Sequence, residues 1–128
     1  MMASNPQMIH PLFVPLTYSY SARMETVAAT LPAQRVQKLE RIATILKTVA
    51  HPLRLGVVHL LEEHERLSVS QICELLDSEQ SLTSHHLQTM RLNGVLTVQR
   101  EGRSMFYSLK ERDLTKIISC LENCKYNL

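Results

Sequence analysis

Apolar residues recur at every third or fourth position after Pro32, as on one face of an α-helix. This stripe covers residues 36 to 49, and charged residues occupy the positions between its members. His51-Pro52 interrupts the pattern, because the residue before a proline is disfavoured in helical conformation. Pro52 suits the first position of a second helix, which is apolar on several faces as far as Leu61. We therefore predict an amphipathic first helix and a central second helix.

Two further helices are predicted, separated by the polar turn 77–79. Ser68 can cap the third helix, with Gln71 three residues later, so that each side chain satisfies a backbone amide of the other residue. The fourth helix extends from about Gln80 to Asn93, and Gly94 ends it because glycine adopts left-handed conformation at low cost. The residues expected on its inner side are Leu82, His86, Leu87, Met90 and Leu92.

Two β-prone runs follow, residues 95–100 and 103–109, joined by Glu101-Gly102 as in a hairpin. A further apolar stripe predicts a last helix from Asp113 to about Tyr126. The predicted order is thus α-α-α-α-β-β-α, a mainly α-helical domain over residues 33–128 with a small β-hairpin. Residues 1–32 are rich in proline, tyrosine and serine, which predicts an irregular N-terminal arm.

Composition narrows the class of protein. A length of 128 residues allows one domain, and a net charge of +2 is too small to indicate a partner without knowing where the basic residues lie. No apolar run is long enough for a membrane helix, and we expect no membrane partner. An odd number of cysteines argues against a secreted disulfide framework and favours a reducing cytoplasm. We find no phosphate-binding glycine loop, nucleophile elbow or metalloprotease histidine pair, and so do not expect an enzyme.

The fourth helix has a polar outer face without carboxylates. A short helix, a tight turn and a second helix form a helix-turn-helix unit, whose second helix lies in the DNA major groove. Glutamine and arginine side chains suit base edges, whereas a carboxylate would repel phosphate. The alternative is an ordinary solvated helix. The residues predicted to contact DNA here are Gln80, Ser81, Thr83, Ser84, His85, Gln88 and Arg91.

The predicted hairpin adds two cations, Arg100 and Arg103, on either side of its tip. Arginines there can reach the DNA backbone or a minor groove, although many hairpin arginines are simply solvated. Together with the polar helix they favour binding of double-stranded DNA.

Residues 46–109 resemble the ArsR/SmtB family of bacterial winged-helix repressors. The resemblance is carried, in the family's order and spacing, by LKTVAHPLRLGVVHLL, LSVSQICELL, QSLTSHHLQTMRLNGVL and REGRSMFYSL. It implies a winged helix-turn-helix that dimerises through its first and last helices. It also implies a transcriptional regulator, usually a repressor, that binds an imperfect palindrome in a promoter as a homodimer.

Many members of that family release DNA when a metal binds, but the family's two ligand sets are incomplete here. The positions of one cysteine pair hold Ser68 and Ser70, and hydroxyls are poor ligands for soft ions. In the second set Asp113 is present, Thr115 replaces a histidine, and the later ligands would fall at Tyr126 and beyond. We therefore expect neither of these metal sites to function.

Cys120 and Cys124 are four residues apart, on one face of the predicted last helix. Two such pairs in a dimer could bind a soft metal or metalloid ion, or act as redox switches. The alternative is that Cys120 and Cys124 are buried packing residues, as we expect for Cys73. We also expect His86 to have a structural role. No cofactor is required by the sequence. Two alternatives for the whole chain stay open: a winged-helix protein-interaction module, and a constitutive regulator without an inducer.

Overall fold

The computed structural model describes residues 30–124. The chain divides into two compact units, with residues up to Glu40 in the first and residues from Arg41 onward in the second. Most of the predicted arm, residues 1–29, lies outside the described residues, so that prediction stays open. In chain order the elements are α1 (Ala33–Val49), α2 (Pro52–Glu63), β1 (Leu67–Ser68), α3 (Val69–Leu76), α4 (Gln80–Leu92), β2 (Leu96–Glu101), β3 (Ser104–Leu109) and α5 (Leu114–Glu122).

The starts of α2 and α3 confirm the local signals in the sequence. Pro52 is the first residue of α2, and His51 caps it by accepting a hydrogen bond of 3.2 Å from the Leu53 amide at Nδ1. At α3 the Gln71 amide donates to Ser68 Oγ (3.2 Å), and the Ser68 amide donates to Gln71 Oε1 (2.9 Å). This reciprocal pair is the predicted capping box.

A three-stranded antiparallel sheet, in the order β1-β3-β2, forms the wing. Strands β2 and β3 pair from Leu96↔Leu109 at the base to Glu101↔Ser104 at the tip, as the hairpin signal predicts. The two-residue β1, which pairs Leu67 with Tyr107, was not predicted. Two residues are too few for an alternating pattern, and their partner strand lies far along the chain. This short strand joins the wing to the start of α3.

The core of the second unit lies between α2, the inner side of α4 and the base of the wing. Val57, Val58 and Leu61 of α2 are fully buried, which confirms the central position of this helix. They pack in one cluster with Leu87 of α4 and with residues of the sheet. The arrangement is that of a winged helix-turn-helix, with α3 and α4 as its two characteristic helices.

The last helix is shorter than predicted. It ends at Glu122 rather than near Tyr126, and Tyr126 lies outside the described residues. The Asn123 amide still donates to the Ser119 carbonyl (3.0 Å), but the Cys124 amide donates to the Leu121 carbonyl, only three residues back (3.2 Å), so the α-helical hydrogen-bond pattern stops here. Among residues 30–124, no helix is long and apolar enough to cross a membrane.

Candidate DNA-binding surface

Helix α4 has one fully buried side and one exposed side. Thr83, Leu87 and Met90 are 0% exposed, and His86 is 7% exposed. Because successive residues are rotated by about 100°, the opposite side carries Ser81, His85 and Gln88. These three polar residues are exposed, and no carboxylate occurs in α4. The middle of the exposed side of α4 is therefore polar, and the helix itself carries no negatively charged side chain.

Two neighbouring positions of α4 differ from the sequence prediction. Thr83, predicted as a DNA contact, is buried, and Leu82, predicted in the core, is 48% exposed. Thr83 can be buried because its hydroxyl and that of Ser78 share a hydrogen bond of 2.7 Å. Spacing could have revealed this, since Thr83 precedes Leu87 by four residues and lies on its side of the helix. Leu92, also predicted inward, is 69% exposed.

Hydrogen bonds hold several polar side chains of α4. Arg91 Nε donates to Gln88 Oε1 (3.2 Å), which keeps the two side chains side by side. Ser81 Oγ donates to Glu79 Oε1 (2.6 Å), just before the helix begins. The amide oxygen and the hydroxyl are thus partly oriented before any ligand binds, although all four side chains remain exposed or partly exposed.

A polar groove lies between the start of α4 and the wing. Gln80 and Ser84 of α4 line it on one side, and Arg103 and Ser104 of the wing line it on the other. Its volume is about 220 Å³, and Ser68 and Ser70 at the start of α3 also contribute. The fold therefore brings three of the predicted DNA contacts, Gln80, Ser84 and Arg103, to a single groove.

The tip of the wing is a tight turn at Gly102, whose φ of +61° is a conformation that favours glycine. Arg100 Nε donates to the Gly102 carbonyl (3.1 Å), and Arg100 and Arg103 are both exposed. The two predicted cations thus flank the tip, as the hairpin pattern indicated.

The single carboxylate at the tip is paired with Arg66. Arg66 binds Glu101 with both guanidinium ends, Nη2 to Oε2 at 3.1 Å and Nη1 to Oε1. The guanidinium also lies 4.7 Å from the centre of the Phe106 ring. Its hydrogen bond lowers the pKa of the Glu101 carboxyl group. Glu101 therefore remains ionised, but its charge is offset locally by the guanidinium.

The cysteines do not share one helix as predicted. Cys120 is exposed on α5, whereas Cys124 is half-buried and lies two residues beyond the end of that helix. The Cys124 amide still donates to the Leu121 carbonyl (3.2 Å), so the chain makes one further turn. Cys73 is also half-buried. In the part of the chain that the structure describes, no group of three or more histidine, cysteine or acidic side chains is placed to hold a metal ion.

The residues at the family's metal-ligand positions have other partners. Ser68 caps α3, and the Asp113 carboxylate binds Lys116 Nζ at 2.7 Å. Thr115 is buried and donates its hydroxyl to the Arg112 carbonyl (2.8 Å). These side chains therefore serve the local structure of α3 and α5.

The sequence of this chain is similar to those of known bacterial regulatory proteins. Residues 51–98 match the family model described as "Bacterial regulatory protein, arsR family". The transcriptional repressor PagR of Bacillus anthracis is 42% identical over 83 residues, which cover 65% of this chain and 83% of PagR. The HTH-type transcriptional regulator YgaV of Escherichia coli is 32% identical over 91 residues, covering 71% and 92% of the two chains.

The crystal structure of PagR superimposes with a TM-score of 0.61 at 41% identity. The superposition covers 66% of this chain and 97% of PagR, so the shared part includes nearly the whole of the smaller protein. The chain therefore belongs to the arsR family of bacterial regulatory proteins and is a DNA-binding transcriptional regulator.

Proposed function

We propose that this regulator represses transcription in the cytoplasm by binding, as a homodimer, to an imperfect palindrome in a promoter. Residues 33–128 would form the DNA-binding and dimerisation domain, and the protein would act by binding rather than by catalysis. The observation that carries the proposal is the exposed polar row of Ser81, His85 and Gln88 on α4, a helix without carboxylates, next to a groove that Arg103 of the wing lines.

In this proposal α4 reads bases and the wing binds phosphate or a minor groove. Ser81, His85 and Gln88 on the exposed side would contact base edges, while Gln80, Ser84 and Arg91 extend the same surface. Arg100 and Arg103 would contact the sugar-phosphate backbone. We leave Thr83 out of the proposed DNA contacts because it is buried, and we add Leu82, whose exposed side chain is suited to contact the methyl group of thymine.

An exposed apolar surface on the second unit supports dimerisation. Ile42 and Leu46 of α1 and Ile117 and Leu121 of α5 are between 41% and 56% exposed. The first three line one apolar cavity of about 160 Å³, so α1 and α5 present a continuous apolar patch. Pairing two copies through this patch would provide two recognition helices, which can read major grooves about 34 Å apart.

The first prediction concerns the wing. In Arg100→Gln/Arg103→Gln we expect binding of the chain's own promoter DNA to weaken by roughly 10-fold or more at moderate salt. The slope of log affinity against log salt should become shallower by about 1 for each phosphate that is no longer neutralised by an arginine. Fluorescence anisotropy of labelled promoter DNA, titrated at several salt concentrations, measures both quantities.

Lys110→Gln is the matched control for the wing. Lys110 is an exposed cation directly after β3, at the base of the same sheet, so its substitution should leave the salt slope close to that of the parent. Affinity of the parent protein that does not change with salt would contradict phosphate contacts and favour a protein-interaction module. An unchanged slope in the double variant would remove the wing from the proposed DNA surface.

We also propose that Cys120 and Cys124 make DNA binding responsive to thiol chemistry or a soft metal ion. Cys120 is exposed on α5, and Cys124 is half-buried two residues past the end of that helix. In a dimer formed through α5, oxidation or metal binding at these thiols would act directly on the subunit contact.

The second prediction is that one of four agents releases promoter DNA from the reduced parent protein. The agents are zinc, arsenite, a polysulfide donor and a mild oxidant, each added to the preformed complex in the anisotropy assay. Cys120→Ser/Cys124→Ser should retain DNA under the same treatment, while Cys73→Ser serves as the control for a general thiol effect. Equal responses of parent and double variant would identify the two thiols as packing residues and favour a regulator without such an inducer.

A further inference from the structure

A buried histidine lies on the side of α4 opposite the proposed DNA contacts. His86 is 7% exposed, and its Nδ1 accepts a hydrogen bond of 3.0 Å from Arg54 Nε. The same guanidinium donates from Nη1 to the carbonyl of Thr48 (2.8 Å). Arg54 therefore connects three elements: the end of α1, the first turn of α2 and the middle of α4.

The donor in this bond fixes the protonation state of the acceptor. An arginine guanidinium has N–H donors only and does not lose its proton in proteins. Nδ1 of His86 must then be unprotonated, and the proton of the neutral ring resides on Nε2. A second proton could be added only at Nδ1, where it would point at a cation and remove the acceptor. The bond between Arg54 and His86 consequently exists only while His86 is neutral.

The other titratable groups around His86 oppose its protonation too. The ring of His51, in the link between α1 and α2, has its centre 4.5 Å from that of His86, and the His85 ring on α4 lies 6.0 Å away. Burial is the largest influence on the pKa of His86, followed by the charges of His51, Arg54 and His85, and all of them lower it. At neutral pH the ring is therefore uncharged and its bond with Arg54 is intact.

The position of His86 connects this bond to DNA binding. His85 is the preceding residue and Gln88 lies two residues further on, and both belong to the exposed side that we propose contacts bases. A shift of about 1 Å or a small rotation of α4 would change where these side chains meet base edges, since hydrogen bonds depend steeply on distance and angle. The bonds of Arg54 to His86 and Thr48 thus help to fix the position of α4 relative to the α1–α2 junction.

We propose that Arg54 and neutral His86 are a positioning pair for the recognition helix, and that a proton gained at His86 Nδ1 breaks the pair and weakens DNA binding. This inference rests on the proposed function. The proton comes from solvent, and no group other than the ring changes its covalent state. Arg54 and His86 act through α4 and do not themselves contact DNA.

The direction in which DNA affinity changes with pH distinguishes the effect of the Arg54–His86 pair from general attraction between positive charge and phosphate. In general, protonation of groups on a protein surface adds positive charge as pH falls, which strengthens attraction to phosphate. Protonation of His86 acts in the opposite direction. We therefore expect the affinity of the parent protein for promoter DNA to fall as pH drops below the ordinary histidine value of about 6.5, although the total positive charge of the protein rises.

The test is the pH profile of promoter binding at constant ionic strength, from about pH 8 to about pH 5. His86→Asn keeps a neutral acceptor close to the position of Nδ1 but cannot be protonated. Relative to this variant, the parent should lose affinity by roughly 10-fold across the range, a size typical of coupling between two sites. His64→Asn, at an exposed histidine just after α2 and outside the proposed DNA surface, is the control and should retain the decline. A parent profile that is flat or rises, or one identical to that of His86→Asn, would overturn the proposal.

A second measurement in DNA-free protein covers the case in which His86→Asn does not fold. The nitrogen chemical shifts of the His86 ring should show an unprotonated Nδ1 at neutral pH, and amide signals of α4 should shift as Nδ1 gains its proton. Protonated Nδ1 at neutral pH, or α4 signals that do not follow the titration, would contradict the pair. If the parent binds no promoter DNA at any pH, the proposed function fails, while the ring titration still decides whether the pair exists.

Discussion

Ile117→Glu should convert the regulator into a monomer and weaken its binding to promoter DNA by on the order of 100-fold or more, because two linked half-site contacts become one. Ile117 is 45% exposed and lines the apolar cavity together with Ile42 and Leu46. At the proposed subunit contact, a carboxylate would have to be buried without a partner, which strongly opposes association. Analytical ultracentrifugation gives the mass, and anisotropy with the whole palindrome gives the affinity.

A neighbouring position provides the control for this substitution. Lys116→Glu places the same side chain one residue earlier on α5, where the lysine side chain is 78% exposed. It removes an exposed ion pair with Asp113, and such pairs contribute little to stability. This variant should remain a dimer. If Ile117→Glu also remains a dimer with parental affinity, the subunit contact does not involve the patch formed by α1 and α5.

Leu87→Ala is expected to lower the free energy of unfolding by about 2–5 kcal/mol, which is a large part of the stability of a small domain. Leu87 is 0% exposed and lies on the inner side of α4, in the cluster that also contains Val57 and Leu61 of α2. Removing its branched end leaves a cavity that these neighbours cannot fill completely. Urea denaturation followed by circular dichroism measures the change.

Leu92→Ala is the matched control, since it is the same substitution in the same helix at a residue that is 69% exposed. Its effect should remain within about 0.5 kcal/mol. A large decrease in stability at Leu92 would mean that this side chain is covered in the protein in solution, for example by a second copy. A negligible decrease at Leu87 would contradict the packing of α4 against α2.

Features set by neighbouring residues were predictable from the sequence. The capping box of Ser68 and Gln71, the helix start at Pro52 and the hairpin turn at Gly102 each depend on the chemistry of a few consecutive residues. The resemblance to the ArsR/SmtB family rests on such segments in order, which explains why family and fold were both predicted correctly.

Features that depend on tertiary contacts were predicted less well. Hydrophobicity alone placed Leu82 inside and Thr83 outside, but the Ser78 hydroxyl satisfies Thr83 and reverses the two. Strand β1 exists only because β3 is available to pair with it. The last helix ends at Glu122, where the backbone hydrogen bonds change from four-residue to three-residue spacing, so the predicted common helical face of Cys120 and Cys124 was wrong.

The paired hydrogen bonds between Arg66 and Glu101 affect the rate at which the regulator can associate with its DNA site. Strand β1 supports β3 only as far as Phe106, so the last pairs of the wing extend beyond the three-stranded part of the sheet. Arg66 holds this overhanging end by its contacts with Glu101 and Phe106. A tip already ordered in the free protein loses little conformational entropy on meeting DNA. Association should therefore be limited by diffusion and charge rather than by a slow folding step at the wing.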